Sequence, residues 1–156
     1  MITIKSRVRK IKIDSRKLKS NIAKMLKIAG YPDFDIGLLL TTNRTIRAYN
    51  KKYRKKDKPT DILSFPFHGD LKAGQKITIS SSDDKNLGDI IISLEYAEDD
   101  ARAQSRSLME HVTMLLAHGI AHLLGYEHKT DRQHRKMLIK EKQLTEAVRP
   151  DSVHPE

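Results

Sequence analysis

The apolar positions of the chain follow two periods that alternate along it. Residues 2–5 (ITIK) and 8–13 (VRKIKI) place apolar side chains at every second or third position, which predicts half-buried strand. From Asp14 or Ser15 onward the spacing becomes helical, with Leu18, Ile22, Met25, Leu26 and Ala29 on one face and Gly30 placed to end the helix. Residues 34–41 (FDIGLLLT) form a continuous apolar run of strand length, as expected of a strand buried on both faces. Asn43 is positioned to cap a short helix through about Tyr53, with Ile46 and Tyr49 turned inward. Ile62 to Phe65 predict a short strand that Pro66 confines to an edge or to its own end.

Residues 68–87 are polar and rich in Gly, Ser and Asp, which predicts a long loop with room for a small extra strand at Ile77 and Ile79. Gly88 to Ser93 (GDIIIS) predict a buried strand, and Ser93 starts a helix over 94–105. Ser107-Leu-Met-Glu110 is a capping box. The helix it opens is apolar nearly all round, through Met109, Val112, Met114, Leu115, Leu116, Ile120, Leu123 and Leu124, the pattern of a buried element. Thr130-Asp-Arg-Gln133 is a second capping box, opening a last helix in which Met137, Glu141, Leu144 and Val148 share a face. Arg149 to Glu156 predict a flexible tail. No repeat or linker divides residues 1–148, so one domain is expected. Strands and helices mix without a strict βαβ rhythm. The expected class is α+β, a small mixed sheet packed with about five helices around the central histidine-bearing one.

Composition narrows the setting. With no cysteine the chain has neither disulfides nor thiolate metal ligands, which suits a reducing cytoplasm. The N-terminal stretch lacks the apolar core of a signal peptide, and no run approaches membrane-spanning length, so a cytoplasmic protein without a membrane partner is expected. Thirty Lys and Arg against twenty Asp and Glu leave a formal charge of +10, which implies a polyanionic partner, nucleic acid ahead of an acidic membrane. Few aromatics and no Trp argue against a base-stacking platform and favour contact through phosphates.

The candidate chemistry lies in residues 118–128, HGIAHLLGYEH. His118 and His122 are one helical turn apart and face the same way. Gly125 is the residue type that takes a left-handed conformation and stops a helix, which lets the chain bring His128 back toward the first two. Three neutral imidazoles with an open fourth position make a catalytic site of the zinc type. The spacing is that of the metzincin peptidases, but Gly119 stands where those carry a Glu general base. His111, seven residues before His118 on the same face, fits either a group orienting the site or a hydrogen-bonded core histidine. His68, His134 and His154 read as surface residues, and Arg54 as one cation in the basic run 51–58.

Three blocks, Tyr53–Phe67 (YRKKDKPTDILSFPF), Leu87–Ser93 (LGDIIIS) and His118–His128, resemble in the same order the YbeY-type endoribonucleases, bacterial ribosomal RNA maturation factors. The resemblance implies a divalent metal, zinc first, on His118, His122 and His128, with Arg54 as the essential cation beside it. It also implies single-strand-specific cleavage in maturation of the small-subunit ribosomal RNA 3′ end and in ribosome quality control, with ribosomal subunits and assembly factors as partners. Two positions depart from the family pattern: Glu127 stands where Asp is usual and Ala121 where Leu is common, and neither removes a ligand. Residue chemistry agrees with a phosphodiester substrate. A divalent ion lowers the pKa of water to about 7 without a Glu and polarises a phosphoryl oxygen, and a guanidinium fork suits phosphoryl oxygens. Two other classes fit the same residues: a metallohydrolase of peptide or amide bonds, and a non-catalytic RNA-binding assembly factor whose metal is structural.

Overall fold

The two continuous apolar runs become the central strands of a four-stranded sheet. In the computed structural model, which describes residues 1–149, β1 (Ile2–Ser6) pairs parallel with β2 (Asp35–Thr41), and β2 pairs parallel with β4 (Asn86–Ser93). The short strand β3 (Ile62–Pro66) closes the order β1-β2-β4-β3, antiparallel to β4 and on an edge, as the proline requires. Alternate side chains of β2 and β4 separate the two faces of the sheet. Ile36, Leu38, Leu40, Ile90 and Ile92 enter the main core. Leu39 and Ile91, with Leu63 of β3, pack with Ile46 on the other side. The class is α+β.

Five helices surround this sheet: α1 (Ser15–Ala29), α2 (Asn43–Arg54), α3 (Leu94–Ala103), α4 (Leu108–Leu123) and α5 (Asp131–Val148). Most of their starts are set by hydrogen bonds local in sequence. The Asp14 carboxylate accepts from Lys17 N, the Ser93 hydroxyl from Tyr96 N, and capping boxes open α4 at Ser107 and Glu110 and α5 at Thr130 and Gln133. Helix α4 is the central one. Val112, Leu116, Ala117, Ile120 and Ala121 are fully buried between the sheet and the helices α1, α3 and α5, each large side chain contributing roughly 1.5–3 kcal/mol.

Four expectations are corrected. Residues 8–13 form no strand, because β1 has no partner beyond the pair Ser6–Leu40; Val8, Ile11 and Ile13 instead pack on the core from a loop. Ile77 and Ile79 form no extra strand: Ile77 N donates to the Tyr31 hydroxyl, Ile79 is exposed, and the loop's regular structure is the 3₁₀ turn Ser82–Asp84. The cap of α2 is Thr42, whose hydroxyl accepts from Thr45 N, because the Asn43 side chain is engaged by the Ser93 hydroxyl. β4 begins at Asn86, two residues earlier than expected. Of the predicted tail, residues 150–156 lie outside the described residues.

Candidate metal centre

Helix α4 delivers His118 and His122, and the way it ends delivers His128. Gly125 is left-handed (φ 93°), with Gly125 N donating to His122 O and Tyr126 N to Ala121 O, a Schellman stop. The chain then returns over the helix end. The ligand nitrogens of His118, His122 and His128 come within 4.8 Å of one another, the one group of three or more His, Asp or Glu among the described residues able to hold a metal. A side chain at Gly125 would meet the carbonyl of Leu71 at 2.5 Å. Gly125→Ala is therefore expected to cost about 1–2 kcal/mol from the backbone conformation alone, with the clash added, and to misplace His128. A lower urea midpoint together with weakened metal retention checks this.

Hydrogen bonds fix the rings. His122 Nδ1 lies 2.9 Å from the carbonyl of Tyr126, which can only accept, so the proton is on Nδ1. His118 Nδ1 lies 2.7 Å from Glu141 Oε2 on α5 and donates to that carboxylate. The two Nε2 atoms face each other across 3.1 Å, and with both rings neutral their lone pairs converge on a point that a cation would fill. Two nitrogens on one tetrahedral zinc sit about 3.3–3.4 Å apart, given bonds of about 2.0–2.1 Å, so the donor set fits such an ion. Burial first, then the neighbouring His118 and His128, hold His122 below the ordinary histidine pKa against the opposing pull of the Tyr126 carbonyl. It is neutral at neutral pH, the form a metal requires.

The three histidines open into a polar cleft of about 790 Å³. Arg54 lines it from the end of α2, Lys56 and Lys58 from the loop that follows, Lys129 from the loop after His128, and Ser64 from the edge strand. Arg54 Nη2 donates to Ser64 O at 2.8 Å, and its guanidinium lies 5.0 Å from the centre of the Phe65 ring. Cation and imidazoles thus share one cavity.

Residues 3–149 match the family model of the endoribonuclease YbeY. The chain belongs to that family. Similar YbeY proteins include the human endoribonuclease YbeY, 36% identical over 147 residues that span 94% of this chain and 87% of that one. The endoribonuclease YbeY of Sulfurihydrogenibium sp. is 41% identical over 138 residues, 88% of this chain and 85% of its own. Among solved structures, the solution structure of TM1509 from Thermotoga maritima matches with a TM-score of 0.62 at 26% identity, covering 95% of this chain and 89% of that one.

Several residues of this YbeY-family site have surroundings that their sequence positions do not disclose. In the sequence Glu141 shows only as a member of a shared helix face; its partner His118 is 23 residues away, although a carboxylate inside an otherwise apolar stripe is a visible signal. His68 lines the cleft, with Nε2 2.8 Å from Asp84 O, and is not an ordinary surface residue. His111 is buried between α3 and α4, with neither ring nitrogen hydrogen-bonded and Asp100 Oδ2 4.0 Å away, so it belongs to the helix packing and not to the cleft. His134 is exposed, and His154 lies outside the described residues. Gly119 faces the sheet: a Cβ there would meet Ile62 Cδ1 and Ile90 Cδ1 at 2.9 Å and Ser64 Oγ at 3.1 Å. The missing peptidase Glu is thus the position where α4 approaches the sheet closely, and the peptide-hydrolase reading loses its base.

Proposed function

We propose that this protein is a zinc-dependent endoribonuclease that cuts single-stranded RNA in maturation of the small-subunit ribosomal RNA 3′ end. The observation that carries the reading is the convergence of three histidine nitrogens in a cleft lined by cations. The family supports it, since relatives covering most of this chain carry the name endoribonuclease. In this reading His118, His122 and His128 hold the ion, while Glu141 and the Tyr126 carbonyl keep two of the rings in the required tautomer. A bound zinc supplies a Lewis acid and lowers the pKa of water, so no Glu base is needed at position 119. Arg54 binds a non-bridging phosphoryl oxygen and stabilises the charge that develops as the phosphodiester is cut. Lys56, Lys58 and Lys129 hold phosphates of the flanking nucleotides. The setting is the cytoplasm, with ribosomal subunits and assembly factors as partners. No helix among the described residues is long and apolar enough to cross a membrane.

The deciding assay offers the purified protein a structured RNA with single-stranded segments and an unstructured peptide, each with and without a chelator. Cleavage of the RNA is expected, abolished by chelator and restored by zinc, with the peptide intact. RNA affinity is expected to fall linearly on a log–log salt plot, with a slope of about −0.7 per phosphate contact. Tight RNA binding without cleavage at any metal would instead make the protein a non-catalytic assembly factor.

A further inference from the structure

A groove of about 1130 Å³ runs between α1 and α5, and it carries a second concentration of positive charge. Lys24 and Lys27 border it from α1, and Lys136, Lys140 and Lys142 from α5, against one acid, Glu146. Lys24 and Lys27 are three residues apart and Lys136 and Lys140 four, so each pair stacks on one helix face. Like charges at that spacing destabilise a helix. None of the five lysines forms an ion pair among the described residues; Lys140 donates to the neutral Gln143. The repulsion is left to be relieved from outside.

The groove adjoins the cleft at one shared residue. Tyr126 lines both cavities, and its carbonyl orients His122 while Lys140 Nζ sits 5.7 Å from its ring. We infer that the α1–α5 groove is the track for the RNA strand flanking the scissile phosphate, held through its phosphates without reading its sequence. Three features favour RNA over other anions: the shared Tyr126 that sets the groove beside the cleft, an open trough instead of a closed anion pocket, and lysines as point charges suited to sequence-independent phosphate contact. The inference rests on the proposed ribonuclease activity and extends it to substrate length.

The test compares a single-stranded oligonucleotide of about 5 nucleotides, enough to fill the cleft, with one several times longer. Binding is measured across salt concentrations, and cleavage alongside. Wild type is expected to bind the longer RNA more tightly and with a steeper salt slope. The variant Lys24→Gln/Lys27→Gln/Lys136→Gln/Lys142→Gln, all at exposed positions, is expected to lose most of that length advantage, its slope on the long RNA shrinking by about 0.7 for each contact removed. A matched variant, Lys10→Gln/Lys12→Gln/Arg16→Gln/Lys19→Gln, removes the same charge at exposed sites lining neither cavity and should keep the advantage. Equal losses in both variants would reduce the effect to net charge and overturn the track, as would an undiminished length advantage in the groove variant. Binding to phosphatidylserine–phosphatidylcholine vesicles that only the groove variant loses, with RNA binding unchanged, would assign the groove to a membrane instead. If wild type neither binds nor cuts the short RNA, the ribonuclease reading fails first; if it cuts both RNAs alike, only the track fails.

Discussion

Replacing His122 by alanine is expected to strip the protein of its metal and to reduce RNA cleavage by about 10³-fold or more, the several kcal/mol that a Lewis acid contributes to transition-state charge. His122 is the central ligand: its Nε2 is 3.1 Å from that of His118, and its ring is oriented by the carbonyl of Tyr126. Two imidazoles remain in the variant, one of them on an exposed turn, and a three-histidine site reduced to two no longer retains zinc through purification. The fold should survive, because His122 is only half-buried and lines the open cleft. The decisive comparison is thermal. Wild type stripped of metal by chelator should melt higher when zinc is added back, by the equivalent of about 4 kcal/mol at a thousandfold excess over Kd, and the variant should not respond. A variant that keeps one equivalent of zinc and full cleavage would remove the three-histidine site as the catalytic centre.

Arg54→Ala is expected to cost about 10²–10³ in cleavage rate, the scale seen when one donor to transition-state charge is deleted. Arg54 is at the exposed end of α2, is no metal ligand, and enters the cleft through its hydrogen bond to Ser64 O. Metal content and melting temperature should therefore barely change. RNA affinity should fall only modestly, as one phosphate contact among several. Lysine at the same position should recover part of the rate, since it restores the charge without the fork. Cleavage, zinc content and affinity measured on one preparation decide the matter: wild-type cleavage would return Arg54 to the solvated surface and leave the histidines to carry the catalytic proposal.

Much of this molecule was legible in its sequence where the determining contacts are local. Asp14, Ser93, Ser107 with Glu110 and Thr130 with Gln133 each cap a helix through bonds to groups three residues away, and Gly30 and Gly125 stop helices by their own conformation. The close grouping of His118, His122 and His128 follows from the same local rules. Illegible features depend on residues distant in the chain. The alternation of 8–13 is as strand-like as that of 2–5, yet pairing stops at Ser6 because β2 itself ends at Thr41 and the chain turns into α2. Asn43 has the chemistry of a cap, but the Ser93 hydroxyl, 50 residues on, takes its side chain. Glu141 gains its role because α5 folds back against α4, and the lysines of α1 and α5 become one groove only after those helices pack.

The hydrogen bond from Arg54 to Ser64 also bears on self-association. Ser93 N donates to Asp61 O and Phe67 N to Leu87 O, so in the antiparallel register the odd residues of β3 bond to β4 and Ile62, Ser64 and Pro66 turn their backbone outward. An outward row of this kind is a template on which another chain can add a strand. Pro66 has no N–H to offer, and the Ser64 carbonyl is already taken by the guanidinium. The strand bordering the cleft is thus guarded against edge-to-edge aggregation by the same side chain proposed to bind the phosphate.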